Sequence, residues 1–478
     1  MNTCCNPAND RNASSHYDII VVGAGSAGFS AAIRAAELGA RVALIGHGTI
    51  GGTCVNVGCV PSKTLIRATE ALHAARSARR FTGISAEAHL GDWPALIQQK
   101  DELVGTLRDA KYLDLLPQYE AVTYLDGPAR LMSGGVLVNG RAVTASRTII
   151  ATGARPAEPI IPRIADVPYL TSTTALSLER LPQSLLILGG GYVGAELAQM
   201  FARAGVAVTL AFRSRLLPDA EPEISAALTG YLRDEGITVS TGLSYRLLRK
   251  SATGVVLDAE QNGMPLTLEA EQLLIATGRQ PNIEELGLQE VSVELSANGG
   301  VKVDEYMRTT RTGIYAAGDV TGRDQFVYMA AYGGKIAAEN ALNGDERRYD
   351  ASSMPAVVFT DPQVASVGLT EAEGRAQGLA VQTSTIALDQ VPRALAARDT
   401  RGLIKLVADR RDGRLLGAHI LAPEGADSIQ TAVLAIKHRM SVRDLADTLF
   451  PYLTTAEGLK LAALGFAKDV TKLSCCAG

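Results

Sequence analysis

Two glycine-rich turns, each set between an apolar strand and an alanine-rich helix, constrain this 478-residue chain more than any other feature. The first follows the apolar run Tyr17 to Val22, reads Gly23-Ala24-Gly25-Ser26-Ala27-Gly28, and enters a helical pattern over 29–38. A second buried-strand run follows at Arg41 to Ile45. The same grammar returns later: a strand over 184–188, the turn Gly189-Gly190-Gly191-Tyr192-Val193-Gly194, a helix over 195–204 and a strand over 206–210. Glycines at such a turn let backbone N–H groups approach a pyrophosphate at the positive end of the following helix. Two βαβ units therefore imply an α/β chain with two Rossmann-like nucleotide-binding domains and two dinucleotide cofactors. The competing reading is that one copy is a degenerate structural repeat.

Between and beyond the turns lie further strand ends. Thr148 to Gly153 is a strand closing in the small pair Thr152-Gly153, and Gln272 to Arg279 echoes it with Gly278. Gly313 to Asp319 presents one carboxylate, Asp319, beside Gly318. Pro355 to Asp361 and the mixed pattern over 402–421 predict an antiparallel sheet, followed by helices at 423–438 and 442–448. That last third has no nucleotide signature and is a candidate for subunit contacts. The expected organisation is a leader over 1–16, a first nucleotide domain from 17–152 and 280–348, a second over 153–279, and a C-terminal α+β domain over 349–478.

Charge excludes some partners. Forty-six basic and fifty acidic residues give a net charge of -4 with no basic block, so no nucleic-acid partner is expected. No apolar run reaches the ~18 residues of a membrane span. The first fifteen residues lack the apolar core of a signal peptide, so a cytoplasmic location is expected. The six cysteines fall in pairs: Cys4-Cys5, Cys54 with Cys59, and Cys475-Cys476. Paired cysteines in a cytosolic chain favour redox or metal chemistry over stapling.

The stretch Gly51-Gly52-Thr53-Cys54-Val55-Asn56-Val57-Gly58-Cys59-Val60-Pro61-Ser62-Lys63 is the most informative. Cys54 and Cys59 are close enough to bridge if the turn between them is helical, and Lys63 lies four residues beyond Cys59. A thiol near a helix N-terminus and a cation has a lowered pKa and reacts as thiolate.

These motifs make the chain resemble, from residue 17 to 478, the pyridine nucleotide–disulfide oxidoreductases, the family of glutathione reductase and dihydrolipoyl dehydrogenase. The resemblance implies FAD on the first fold, NAD(P)H on the second, and a homodimer built by the C-terminal domain. It places Gly23, Gly25, Ser26, Ala27, Gly28, Gly52, Thr53, Thr152, Gly153 and Gly318 around FAD, with Asp319 on the ribityl chain. Lys63 would lie near the flavin N5 and pair with Glu196, Cys59 would face the flavin, and Cys54 would exchange with substrate. Gly189, Gly191, Tyr192, Val193, Gly194 and Gly278 would line the nicotinamide nucleotide.

NADPH is expected over NADH. An acid about twenty residues past such a turn holds the 2′-hydroxyl of NAD, whereas arginine suits a 2′-phosphate. Here the strand ends in Ala211-Phe212-Arg213-Ser214-Arg215 with no acid before Asp219, so Arg213 and Arg215 are the candidate ligands. The first fold departs from the family's pattern. Its second strand ends Ile45-Gly46-His47 where Glu is usual, and no acid occurs between Glu37 and Glu70, so the FAD ribose contact is lost or replaced.

Family members that reduce organic disulfides use a histidine near the C-terminus to protonate the leaving thiolate. No histidine follows His438 here, and the matching segment reads Phe450-Pro451-Tyr452. The tail carries adjacent thiols instead, Cys475 and Cys476. Soft thiolates select soft metal ions, and two of them neutralise a divalent ion. The chain thus resembles the mercury-reducing branch of the family. That implies Hg(II)–thiol complexes as substrate, active sites shared across the homodimer, and metal passed from Cys475 and Cys476 to Cys54 and Cys59. Tyr112 and Tyr452 would lie near the metal, the alternative being that they are ordinary packing aromatics. With about sixteen residues before the first strand, the form expected is one without the separate N-terminal metal-binding domain of many such enzymes. Cys4-Cys5 would be either a reduced substitute that collects metal or part of a dispensable leader. Three rivals are a disulfide reductase, a thiol metal buffer without turnover, and an NADPH oxidase. They are disfavoured respectively by the missing histidine, by the two nucleotide folds and by the tail pair.

Overall fold

Parallel strands are covered on both faces, so they are built from unbroken apolar runs rather than alternating ones. Ile19, Ile20, Val21, Val42, Ala43 and Leu44 are all fully buried. The computed structural model describes residues 16–472 and divides into two units. One gathers the chain up to Cys54 with Leu107–Arg155 and Gln280–Tyr349; the other gathers Val55–Thr106, Pro156–Arg279 and the chain from Asp350 onward.

The first unit centres on a seven-stranded sheet. Val122–Asp126, Val42–Gly46, His16–Val22, Arg141–Ile150 and Ile314–Ala316 run parallel, and the hairpins through Gly135–Val138 and Ala129–Met132 extend one edge antiparallel. Helix Ser26–Glu37 lies against helix Val327–Asn343. Small residues permit this approach: a Cβ at Gly334 would overlap the Ala27 carbonyl oxygen. Arg34 fixes the pair by donating to the buried Glu339 at 2.8 Å.

The second unit holds another parallel sheet, ordered Thr238–Ser240, Ala207–Ala211, Ser184–Leu188, Gln272–Ile275 and Leu170–Thr171. Helix Tyr192–Arg203 follows its glycine turn, and helix Cys59–Ser77 packs Leu65 and Ile66 into the cluster that contains Ala195 and Ala198. The segment 55–106 thus follows the first turn in sequence yet shares its core with the second. A five-stranded antiparallel sheet completes the unit, with Gln363–Gly368, Leu415–Ala422 and Leu403–Asp409 inside and Pro355–Val358 and Val381–Ala387 at its edges. All eight residues of Leu415–Ala422 are buried. Ala418, Ile420 and Ala422 join the core beneath the helices Gly425–Lys437 and Glu457–Leu464. Strand alternation turns His419 and Leu421 the opposite way, toward the nucleotide-binding side of the unit.

The expected architecture is what forms: two Rossmann-like regions and a C-terminal α+β domain. Among the described residues no helix is long and apolar enough to cross a membrane.

Candidate active site

Each glycine turn is shaped by close backbone approach. A Cβ at Gly28 would overlap the Gly23 carbonyl oxygen, and a Cβ at Gly194 would overlap that of Gly189. Only glycine lets the helix start this close to its strand, and, as at any helix start, the first N–H groups of helix Ser26–Glu37 and helix Tyr192–Arg203 have no intrahelical partners. Gly25 and Gly191 precede those helices, neither supplies a side-chain cap, and neither first turn holds an acid. Such ends attract anions.

In the first unit a second glycine segment closes on the turn. A Cβ at Gly52 would come within 2.8 Å of the Gly25 Cα, so bare backbone faces bare backbone. Thr152 and Gly153 are pinned by Asn282: Thr152 Oγ1 donates to its carbonyl at 2.6 Å, its side-chain amide donates to the Thr152 carbonyl at 2.9 Å, and its N–H donates to Gly153. Gly318 nests against Ala27 and Ala330, and Asp319 opens a short 3-10 turn beyond it. Tyr112 sits in the π-helical turn Asp109–Leu113, its hydroxyl 3.3 Å from Ser26 Oγ and its ring edge-on to Phe29 at 4.8 Å. An unblocked helix end, a double-glycine cradle and a carboxylate at a neighbouring strand end fit a flavin dinucleotide.

The cysteine stretch forms two helices, Gly52–Val57 and Cys59–Ser77, broken at Gly58. Cys54 is half-buried within the first; Cys59 is exposed and opens the second. A thiol in the first turn of a 19-residue helix meets the positive end of its dipole, which favours thiolate. Pro61 lies in that same turn, where its missing N–H costs no hydrogen bond. Lys63 donates to Glu196 Oε2 at 2.6 Å and stands 4.9 Å above the Phe359 ring. Glu196 is buried, and its other oxygen accepts the Phe359 N–H at 2.9 Å. The sequence offered no signal for Phe359.

Along the second turn, the strand Ala207–Ala211 delivers Arg213 to the surface. Arg215 instead donates to the carbonyls of Pro218 and Ala220, at 3.2 Å and 2.7 Å, and so braces its own loop. Tyr192 is half-buried at the helix start, and burial, then the Asp219 charge, raises its pKa. An exposed arginine at a strand end that lacks an acid fits a 2′-phosphate.

Phe450 packs against the core of the antiparallel sheet as an ordinary apolar residue. Beside it Leu449 is 92% exposed and Tyr452 is 47% exposed. Cys4, Cys5, Cys475 and Cys476 lie outside the described residues.

The sequence matches the family model for pyridine nucleotide-disulphide oxidoreductases over residues 17–334 and that family's dimerisation domain over 354–463. The chain belongs to this family and is an NADPH-dependent flavoprotein oxidoreductase. It is 50% identical to a mercuric reductase of Streptomyces lividans over 97% of this chain and 98% of that one. A mercuric reductase of Staphylococcus aureus is 46% identical, over 98% of this chain and 86% of the other. Among solved structures, the HOCl-induced flavoprotein disulfide reductase RclA of Escherichia coli superposes with a TM-score of 0.81 at 30% identity, covering 94% of this chain and 99% of its own.

Proposed function

We propose that this chain reduces mercury(II), delivered as a dithiolate, to elemental mercury in a homodimer whose active sites are shared. The observation that carries the reading is Phe450: where a disulfide reductase needs a proton donor, this chain has a phenyl ring, half-buried against the core of its antiparallel sheet. A metal ion leaving as a neutral atom needs no such donor. The identity of 50% to a mercuric reductase over almost the whole chain supports the same choice.

Bound FAD supplies the two-electron link in the balance Hg(II) + NADPH → Hg(0) + NADP⁺ + H⁺. The chain's residues do the rest. The first turn, with Gly23, Gly25, Gly28, Gly52 and Asp319, holds FAD; the second, with Gly189, Gly191, Gly194 and Arg213, holds NADPH. Cys475 and Cys476 of one subunit take the ion, and Cys54 and Cys59 of the other receive it by thiolate exchange. Cys59, exposed at its helix start, offers its sulfur as a ligand. Tyr112, anchored beside the first turn, and Tyr452, exposed on its segment, flank the metal path. The exposed Leu449 and Tyr452 suit cover by a second subunit.

Mercury-dependent NADPH oxidation in excess thiol, with loss of volatile mercury, tests the reaction. Brisk turnover of lipoamide or glutathione disulfide without mercury vapour would defeat it. A mixed dimer tests the sharing. One subunit lacks Cys54 and Cys59 and the other lacks Cys475 and Cys476, so activity survives only where complementary intact pairs meet.

A further inference from the structure

The strand Val42–Gly46 ends without the acid that ordinarily holds a dinucleotide's adenosine ribose. The structure shows what stands there instead. A Cβ built on Gly46 would come within 2.5 Å of the Tyr124 hydroxyl oxygen and 2.8 Å of the Ala24 Cβ. A side chain leaving the strand at this point would therefore begin in space that a phenol head already fills. Tyr124 belongs to the neighbouring strand Val122–Asp126, paired through Leu44. The strand end and the cofactor turn form one surface, because the Gly23 N–H donates to the Ile45 carbonyl at 2.7 Å and Ala24 is the turn's second residue. Among the described residues the Tyr124 hydroxyl makes no hydrogen bond. Burial, and then the Asp126 charge, raise its pKa, so at neutral pH it is an O–H donor.

We propose that the Tyr124 hydroxyl replaces the missing carboxylate and hydrogen-bonds the adenosine ribose of FAD. The inference rests on the first turn being the FAD site. It also explains the glycine: with Tyr124 in place, any Cβ at position 46 would strike the phenol. A phenol makes one neutral hydrogen bond where a carboxylate accepts two charged ones, so this chain holds the ribose more weakly but without burying a charge. Asp126, opposite Gly46 in the strand register, is the rival ligand; it is exposed.

The test is titration of flavin-stripped protein with FAD and with FMN, which lacks the adenosine half, followed by flavin fluorescence. Tyr124→Phe keeps the ring and removes only the hydroxyl. FAD should bind about three- to tenfold more weakly while FMN affinity stays unchanged, the range expected for one neutral hydrogen bond. Asp126→Asn should leave FAD affinity within about twofold, as expected of an exposed side chain without that bond. Unchanged FAD affinity in Tyr124→Phe, equal weakening of FMN, or a loss carried by Asp126→Asn would each overturn the assignment. Failure of the unsubstituted protein to bind FAD would instead overturn the reading of the turn itself.

Discussion

The two nucleotide turns share one skeleton and differ in what surrounds it. In both, the last glycine lies against the first one's carbonyl, and the first lies against the backbone just beyond a facing strand, at Ala151 in one turn and Ala276 in the other. The second strand then diverges. It ends at Gly46 beside a tyrosine in the first turn and at Ala211, just before Phe212-Arg213, in the second. The helices diverge too. Two residues past the last glycine, Ser30 donates a neutral hydrogen bond to the Ala331 carbonyl at 2.7 Å, whereas Glu196 places a buried carboxylate between Lys63 and the Phe359 N–H. Local backbone shape is thus common to dinucleotide binding, while identity is set by side chains one layer out.

The largest effects should come from the shared skeleton. Gly28→Ala forces a Cβ into a carbonyl and should cost about 3 kcal/mol or more and release the flavin. Gly194→Ala should leave the protein yellow yet weaken NADPH binding at least about tenfold, by the same overlap. Flavin absorbance and NADPH titration of the two variants check this. Identical behaviour would mean that the turns do not serve separate cofactors.

Next come the two helix positions. Glu196→Ala strands Lys63 and the Phe359 N–H. Lys63 keeps 32% of its side chain exposed and can rehydrate, so the expected loss is about 2 kcal/mol rather than that of a wholly buried pair. Ser30→Ala should cost about 1 kcal/mol. Denaturant unfolding distinguishes them, and equal losses would mean that the buried carboxylate contributes no more than the neutral hydroxyl.

Cofactor choice should respond to Arg213. Arg213→Ala should cut the preference for NADPH over NADH about tenfold or more, the worth of a charge-assisted bond, read as a ratio of kcat/KM values. Arg215→Ala should shift that ratio less, since its guanidinium already serves the Pro218 and Ala220 carbonyls.

The smallest effect concerns acid. The second turn's unit ties helix Pro222–Asp234 to the antiparallel sheet through Glu221, Lys405 and His419. Lys405 is buried and donates to Glu221, Glu223 and Glu371, whose hydrogen bonds raise its pKa against the opposing effect of burial. Burial lowers the pKa of His419, so the folded protein keeps it neutral while the unfolded chain takes up a proton. Its contribution is therefore intact above about pH 6.5 and is lost as pH falls below that. His419→Gln should trim the fall in Tm between about pH 7 and pH 5 by about 2 °C, measured by thermal scans. NADPH affinity should weaken with acid before flavin is released. The reverse order would detach this tie from the second turn.

Much of this was written along the chain. The apolar runs before Gly23 and Gly189 specify parallel strands, the glycine spacing specifies the turns, and Cys59 with Gly58 and Pro61 specifies a helix start, because each depends on residues a few positions apart. The segment over 402–421 likewise announces antiparallel strands, which form at Leu403–Asp409 and Leu415–Ala422. Neither the phenol of Tyr124 filling the space beside Gly46 nor the Phe359 N–H completing Glu196 could be read this way. Nor could the turning inward of Arg215, or the closing of Gly52 on Gly25. Those depend on which atoms meet once distant segments pack. Backbone preference is local and survives in a string of letters, whereas occupancy of a particular volume is known only when the chain has folded around it.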